Sequence, residues 1–450
     1  GYGLKMLYKI PDNFSVNNDD QVFGFSLGLD SALRSVLYGY NIQDEPRVTD
    51  IVNVNNWNVA ISQKDSRKLG YVNLLPVYGF ESHQQYESYL REFLSNAHNL
   101  TIPLSVVSYD FYPFTNVGMR LDYFYNLSLI NRMADSRPFW FYVQTVSHSI
   151  YDDPTQFQLE FQIFCPLVYG AKGYVFYTYE TIPVSKNYSY GDAIISRSGE
   201  PSNKYQIISA INHYVHDIPA PVIMNSTFLG AFHVSNATYG QYIPQDEYVS
   251  EKMPVLSQIS NQNVLAGIFK SNINDGEYNV LIMNKADIPL DNIPLSIRGD
   301  QVGHVMLSRK LNDSPNLSNF KFINSSYDEA SNLTRLSINL APGELRVLKV
   351  LYMNDPLEKV NYPTKFGLSV YPNPLASTGT IVYSLSQSST VSLKIFSTDG
   401  RLRKTILPPV HLAPGKYYYY LSALNLRPGL YIITMLANDE YRGSQKLVVK

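Results

Sequence analysis

Between residues 36 and 216 short apolar, β-branched or aromatic runs alternate with amphipathic ones, and no other feature constrains the fold as strongly. Strand-like runs lie at Val36–Asp44, Gly70–Pro76, Pro103–Asp110, Pro138–Thr145 and Gly173–Glu180, with a further one at Gly3–Tyr8. Helix-like stretches lie between them at 48–67, 86–97, 122–135, 155–169 and 203–216; Tyr86, Leu90, Phe93 and Leu94 recur at helical spacing. Repeated β-then-α units joined by short loops imply a parallel sheet with right-handed crossovers. Counting back from a closing eighth strand makes Gly3–Tyr8 the third. The expected fold is therefore an N-terminally incomplete (β/α)8 TIM barrel, with its opening strands missing.

In such a barrel the C-terminal strand ends carry the chemistry, because the strands fix the backbone while the following loops shape a pocket. Those ends present Asp44 and Glu45, then Asn73, Tyr109 and Asp110, Gln144 with His148, and Tyr179 with Glu180. Pro46 holds Glu45 out of the helical region and ends its strand. Carboxylates here suit acid/base work, and two of them flanking a glycosidic bond are what its hydrolysis uses. Tyrosine and tryptophan offer flat faces to sugar rings, and Asn or Gln bonds to hydroxyls. Each residue also has a plainer reading: Asp44 and Glu45 as a helix-start pair favoured by the macrodipole, Trp140 as strand core, His148 as a loop histidine, and Asp152 with Asp153 as a turn and helix start.

Composition narrows the partners. Thirty-six Lys and Arg against 38 Asp and Glu give a net charge of −2, so no global field draws nucleic acid or an anionic membrane. Tyrosine numbers 37, which suits both sheet packing and stacking on neutral ligands. The one cysteine, Cys165, sits in an apolar helical run and reads as core. No apolar run reaches the roughly 18–20 residues of an integral membrane segment. No P-loop, dinucleotide fingerprint, zinc motif or paired cysteines is present, so no cofactor or metal is expected. Gly24 to Gly28 matches the G-x-S-x-G nucleophile elbow, but too little sheet precedes it for a serine hydrolase.

Several motifs then carry a resemblance. Tyr38-Gly39-Tyr40 running into Asp44-Glu45-Pro46, Ser108 to Pro113, Pro138-Phe139-Trp140 and Tyr169 to Tyr179 resemble the barrel of secreted glycoside hydrolases of Bacteroidetes, distantly similar to beta-galactosidase-type barrels of the large retaining clan. The resemblance implies a carbohydrate substrate, Glu45 as general acid/base, and a sugar site drawn from Asp44, Asn73, Tyr109, Trp140, Gln144, His148, Tyr177 and Tyr179. The clan's nucleophile is a glutamate at the end of strand seven, where this chain has Gln144; an amide neither forms the glycosyl ester nor acts as a base. Three readings stay open: Asp110 as partner, since Tyr109-Asp110 also resembles the sixth-strand motif of chitinase-like barrels that use substrate assistance; Glu180 as partner; or a barrel that binds glycans without cleaving them.

Past Asp217 the pattern changes to short alternating strands, with Ile218-Pro219-Ala220-Pro221 as the boundary and Asp275-Gly276 as a hairpin turn. Residues 218–352 are expected to form a β-sandwich and resemble the accessory domain after many glycosidase barrels. A polar linker, 353–365, leads to 366–450, a second expected sandwich. There Val370 to Pro374, Val391 to Gly400, Leu426 to Ile432 and the terminal Lys446 to Lys450 resemble the type A sorting domain of the type IX secretion system. That resemblance implies the type IX machinery as partner, and export to the outside or the outer-membrane surface. The fold class expected is thus multidomain, α/β followed by all-β, with residues 1–217 as the partial barrel.

Overall fold

A computed structural model describes residues 6–29, 31–94, 101–102, 104–135, 137–183, 189–235, 240–249, 253–299, 302–352, 367–371, 373–375, 378–385, 387–412, 415–422 and 426–450. The N-terminal half is a parallel half-barrel. Its elements in chain order are β1 (Met6–Lys9), α1 (Asp19–Gly28), α2 (Ser31–Val36), β2 (Leu37–Asp44), α3 (Ile51–Lys64), β3 (Leu69–Leu74), α4 (His83–Leu94) and β4 (Val107–Tyr109). A small hairpin of β5 (Phe114–Thr115) and β6 (Gly118–Met119) precedes α5 (Tyr123–Ala134), β7 (Phe139–Gln144), α6 (Gln156–Val168), β8 (Gly173–Tyr177) and α7 (Asn203–Asp217). The sheet runs β1-β2-β3-β4-β7-β8, every pairing parallel. Six strands with helices between successive strands are what the alternation predicts. Gly24 to Gly28 lies inside α1, so the strand–turn–helix geometry of a nucleophile elbow is absent there.

The helices form where an apolar stripe recurs. In α3, Val54, Trp57, Ala60 and Ile61 are buried at helical spacing. Helix α6 opens on a capping box in which Thr155 Oγ1 accepts from the Gln158 N–H at 3.2 Å and the Thr155 N–H donates to Gln158 Oε1 at 2.9 Å. From Leu159 to Val168 every α6 side chain is buried, because the helix is packed on both sides. One side meets β7; the other meets the following β-rich unit, which opens with β9 (Ser226–His233) and β10 (Leu256–Ile259), at its strands β11 (Val264–Ser271) and β12 (Glu277–Asn284). Cys165 is core, its Sγ 3.4 Å from Met283 Sδ.

One apolar core consequently runs from the half-barrel through α6 into Leu265, Phe269, Leu281, Met283, Leu345 and Val347. The opposite faces of those strands, with Ala266, Ile268, Val280 and Ile282, close a second core against Leu256, Ile293, Leu295, Ile297 and Ile338 of a four-stranded sheet. A sheet covered on both faces needs no polar alternation, which is why residues 264–269 and 280–283 read as continuous apolar runs. The Ile218–Pro221 segment leads into α8 (Pro219–Met224), with proline in its first turn and Pro219, Val222 and Ile223 buried. Gly267 marks the tightest approach: a Cβ there would lie 2.1 Å from the Val168 backbone oxygen. Gly267→Ala is expected to cost roughly 1–3 kcal/mol by overpacking, read by urea unfolding.

The C-terminal region has a three-stranded and a four-stranded sheet over its own core, which includes Val370, Ile381, Leu393, Ile395, Ile433 and Leu447. The linker 353–365 lies outside the described residues.

Candidate active site

The acids meet because of a bulge. Pairing of β2 with β3 runs Asn41 with Tyr71, then Gln43 with Val72 and Asp44 with Asn73, so Ile42 is the extra residue. Side chains alternate along a strand, so Asp44, three residues after Asn41, would otherwise point to the opposite face. The bulge brings it level with Asn73. Asn73 Nδ2 donates to Asp44 Oδ1 and to Asp110 Oδ1, both at 3.0 Å, so those oxygens lie no more than twice that distance apart. Behind the amide, Ser108 Oγ donates to Asn73 Oδ1 at 3.2 Å, and the Tyr71 hydroxyl is 2.6 Å from Ser108 Oγ.

Glu45 stands exposed just outside this trio, with φ of 46°. Its N–H donates to the Asn73 backbone oxygen at 2.8 Å, and the Pro46 oxygen accepts from the Tyr89 hydroxyl at 2.9 Å. Those bonds hold a conformation that costs a non-glycine residue on the order of 1 kcal/mol or more. Desolvation by the protein around its carboxyl, with Asp44 adding repulsion, raises the Glu45 pKa above the ordinary value. Asp110 is pushed up to about 7, first by burial and then by Glu45 and Asp44, with the Asn73 bond opposing. Among the described residues no Lys, Arg or His forms an ion pair with any of the three acids. Clustered carboxyls without a countercharge keep a proton near neutrality. Asp44 and Glu45 precede the helical turn at 48–50, so they are no helix-start pair.

Aromatic rings line the concave face. Trp140 is half-buried there, stacked on Tyr38 at 6.4 Å and tilted on Tyr71 at 5.9 Å, rather than sealed in the core. Gly173 makes room for it, since a Cβ would lie 2.9 Å from the indole. Tyr177 packs on Tyr112 at 5.7 Å and on His148 at 5.2 Å. His148 Nδ1 is 3.0 Å from the Val146 oxygen, and burial lowers its pKa.

Other expected site residues fall elsewhere. Tyr109 alternates with Ser108 and Asp110, so it faces the helices, 1% exposed in the core, and its hydroxyl has no hydrogen-bond partner among the described residues. Gln144 is also 1% exposed; its Nε2 donates to the Val146 and Asp152 oxygens at 3.0 and 2.7 Å and closes the loop after β7, so both amide protons are used within the fold. Glu180 and Tyr179 lie exposed beyond the end of β8, where Glu180 bridges to Ile195. Asp153 is more than a turn residue: it pairs with the buried Lys204 at 2.6 Å. Sequence reading passed over Tyr71 and Ser108, although the i, i+2 spacing from Asn73 and Asp110 signals a shared face. Nothing in the loop sequences signals Tyr112 as a wall.

Comparison with known proteins places the C-terminal end: residues 369–450 match the family described as the secretion system C-terminal sorting domain. The chain is therefore marked for export by the type IX route, to be secreted or attached at the cell surface. Among the described residues no helix is long and apolar enough to cross a membrane. A search of curated proteins found no match. The chain is similar to several glycoside hydrolases of known structure. A rhamnosidase from Novosphingobium sp. PP1Y aligns at 9% identity over 82% of this chain and 50% of that one, with a TM-score of 0.45. A glucosidase from Croceicoccus marinus aligns at 9% identity over 78% and 77%, with a TM-score of 0.37. An alpha-L-arabinofuranosidase from Thermotoga maritima, in an arabinose complex, gives 9% over 77% and 75%, also with a TM-score of 0.37.

Proposed function

We propose that the chain is an exported glycoside hydrolase whose half-barrel belongs to the (β/α)8 design, followed by an accessory β-sandwich at 218–352 and the sorting domain from 366. The observation that carries this reading is the convergence of Asp44, Glu45 and Asp110 at strand ends, tied through the Asn73 amide. Glu45, at the open mouth with its pKa raised, protonates the leaving glycosidic oxygen. Asp110 is the second carboxyl: ionised, it stabilises positive charge developing on the sugar ring or orients water or an acetamido group. Trp140, Tyr38 and Tyr177 offer ring faces to the substrate.

The test is release of reducing ends from a panel of neutral polysaccharides by the purified chain. Activity is expected on at least one of them, falling on the alkaline side as Glu45 loses its proton and on the acid side as Asp110 takes one up. Trp140→Ala is expected to weaken sugar binding about tenfold by loss of a stacking face. The Gln144 amide, locked to backbone oxygens where a nucleophile would stand, favours a second reading: a surface protein that binds glycans and leaves them intact. Calorimetric binding with no product between pH 4 and pH 9 would select it.

A further inference from the structure

A second concavity lies where α6 meets the β-rich unit. It encloses ≈ 370 Å³ between Gln156, Phe157 and Glu160 of α6 and a wall that includes Asp287, Lys310 and Pro342. Helix α6 follows β7, so its first turns stand at the same end of the half-barrel as the acids. Glu160 forms the floor, 4% exposed. Its Oε1 accepts from Gln156 Nε2 at 2.8 Å, while Oε2 accepts no hydrogen bond among the described residues. A nearly buried carboxyl with one idle oxygen facing a cavity calls for a donor from outside. Gly343, at φ of 67°, brings its loop onto this floor: a Cβ there would lie 3.0 Å from Glu160 Oε2 and 3.2 Å from the Phe157 ring.

The rim adds the rest of the chemistry. Asp287 and Lys310 are exposed, and among the described residues neither side chain makes a hydrogen bond or an ion pair. Lys310 is fixed through its backbone, whose N–H donates to Asp313 Oδ2 at 2.7 Å. Phe157, Leu311 and Pro342 contribute apolar surface beside these polar groups.

We propose that this cavity is a saccharide-binding site, separate from the acid cleft, that seats one or two rings of a neutral glycan. The volume falls in the range of small-ligand sites, which run from roughly 300 to 1,000 Å³. Sugar hydroxyls satisfy the idle Glu160 oxygen and the rim groups, and the C–H faces of the rings lie on Phe157 and Pro342. Glu160, Asp287, Asp313 and Glu344 line the cavity against the one ammonium of Lys310, a balance that disfavours anionic glycans. A bare cation fits less well, since no group of three or more metal-ligating side chains is arranged for one among the described residues. The site spans both units, so an occupant bridges them.

The test is calorimetry of the full chain with cellotetraose, xylotetraose and triacetylchitotriose, carried out in a Trp140→Ala background that weakens the cleft. Binding of at least one probe is expected to persist there and to weaken by about tenfold or more on adding Glu160→Ala. Asp287→Ala, on the exposed rim and clear of the core, is expected to weaken it severalfold without changing the unfolding midpoint. The proposal is overturned if no probe binds the Trp140→Ala chain, if binding is indifferent to both added substitutions, or if calcium chloride binds through Glu160 while the sugars do not.

Discussion

Glu45→Gln is expected to lower kcat by about 10²- to 10⁴-fold while KM and calorimetric sugar affinity change little. The amide keeps the shape and the position at the mouth, held by the same backbone bonds to Asn73 and Tyr89. It has no proton to give to a leaving oxygen. A general acid acts only in the transition state, so its loss belongs in kcat and not in binding. Substrates with an activated leaving group need less protonation, and the variant should recover most of its rate on an aryl glycoside with a low-pKa phenol. Unchanged turnover on natural glycans would remove Glu45 from the mechanism. Loss of binding together with rate would instead mark it as a sugar ligand.

Asp110→Asn is expected to abolish activity and at the same time stabilise the fold above pH 7. The sign follows from the raised pKa. The folded carboxyl titrates at about 7 against an ordinary 3.8, so between those values the native state holds more protons than the unfolded chain. Stability therefore falls as pH rises through that window, and the full penalty is present above 7. One pKa unit corresponds to about 1.4 kcal/mol, and solvent around a partly buried group screens much of the gap. A gain of about 2 kcal/mol at pH 8, with little change at pH 4, is a fair magnitude. Urea unfolding of both chains at pH 4, 6 and 8 reads it directly. A variant that keeps the wild-type slope would place the charge strain elsewhere.

The alternation of strands and helices was legible because each strand of the half-barrel is a short apolar run ended by an acid, a proline or a loop. The positions of Asp44, Asn73 and Asp110 at three neighbouring strand ends followed from that pattern. What the acids do there did not, since Asp44 faces Asn73 only through the bulge at Ile42, and no local pattern announces an extra residue. Tyr109 was misplaced although alternation with Asp110 assigns it to the helix side. Gln144 was misread for a different reason: its strand face is the concave one, but the loop from Val146 to Asp152 folds over it, and loop paths depend on long-range contacts. In the β-rich unit, Phe320–Phe322 and Ser326–Asp328 are too short to show alternation, and Leu290–Arg298 is a strand although it carries Pro294. The cavity beside Glu160 has no sequence signature, because its walls come from segments more than 100 residues apart.

Helix α6 has no free side. Between Leu159 and Val168 every side chain is buried, and the helix packs on β7 on one side and on β11 and β12 on the other. The β-rich unit is therefore no interchangeable cassette. Recombination that grafted a different sandwich after Asp217 would have to bring a matching α6 with it, from within the preceding unit. The heritable module is the pair, with its internal seam at Gly267 and Val168, whereas the sorting domain has a core of its own and meets the β-rich unit through Phe322, which packs on Tyr419.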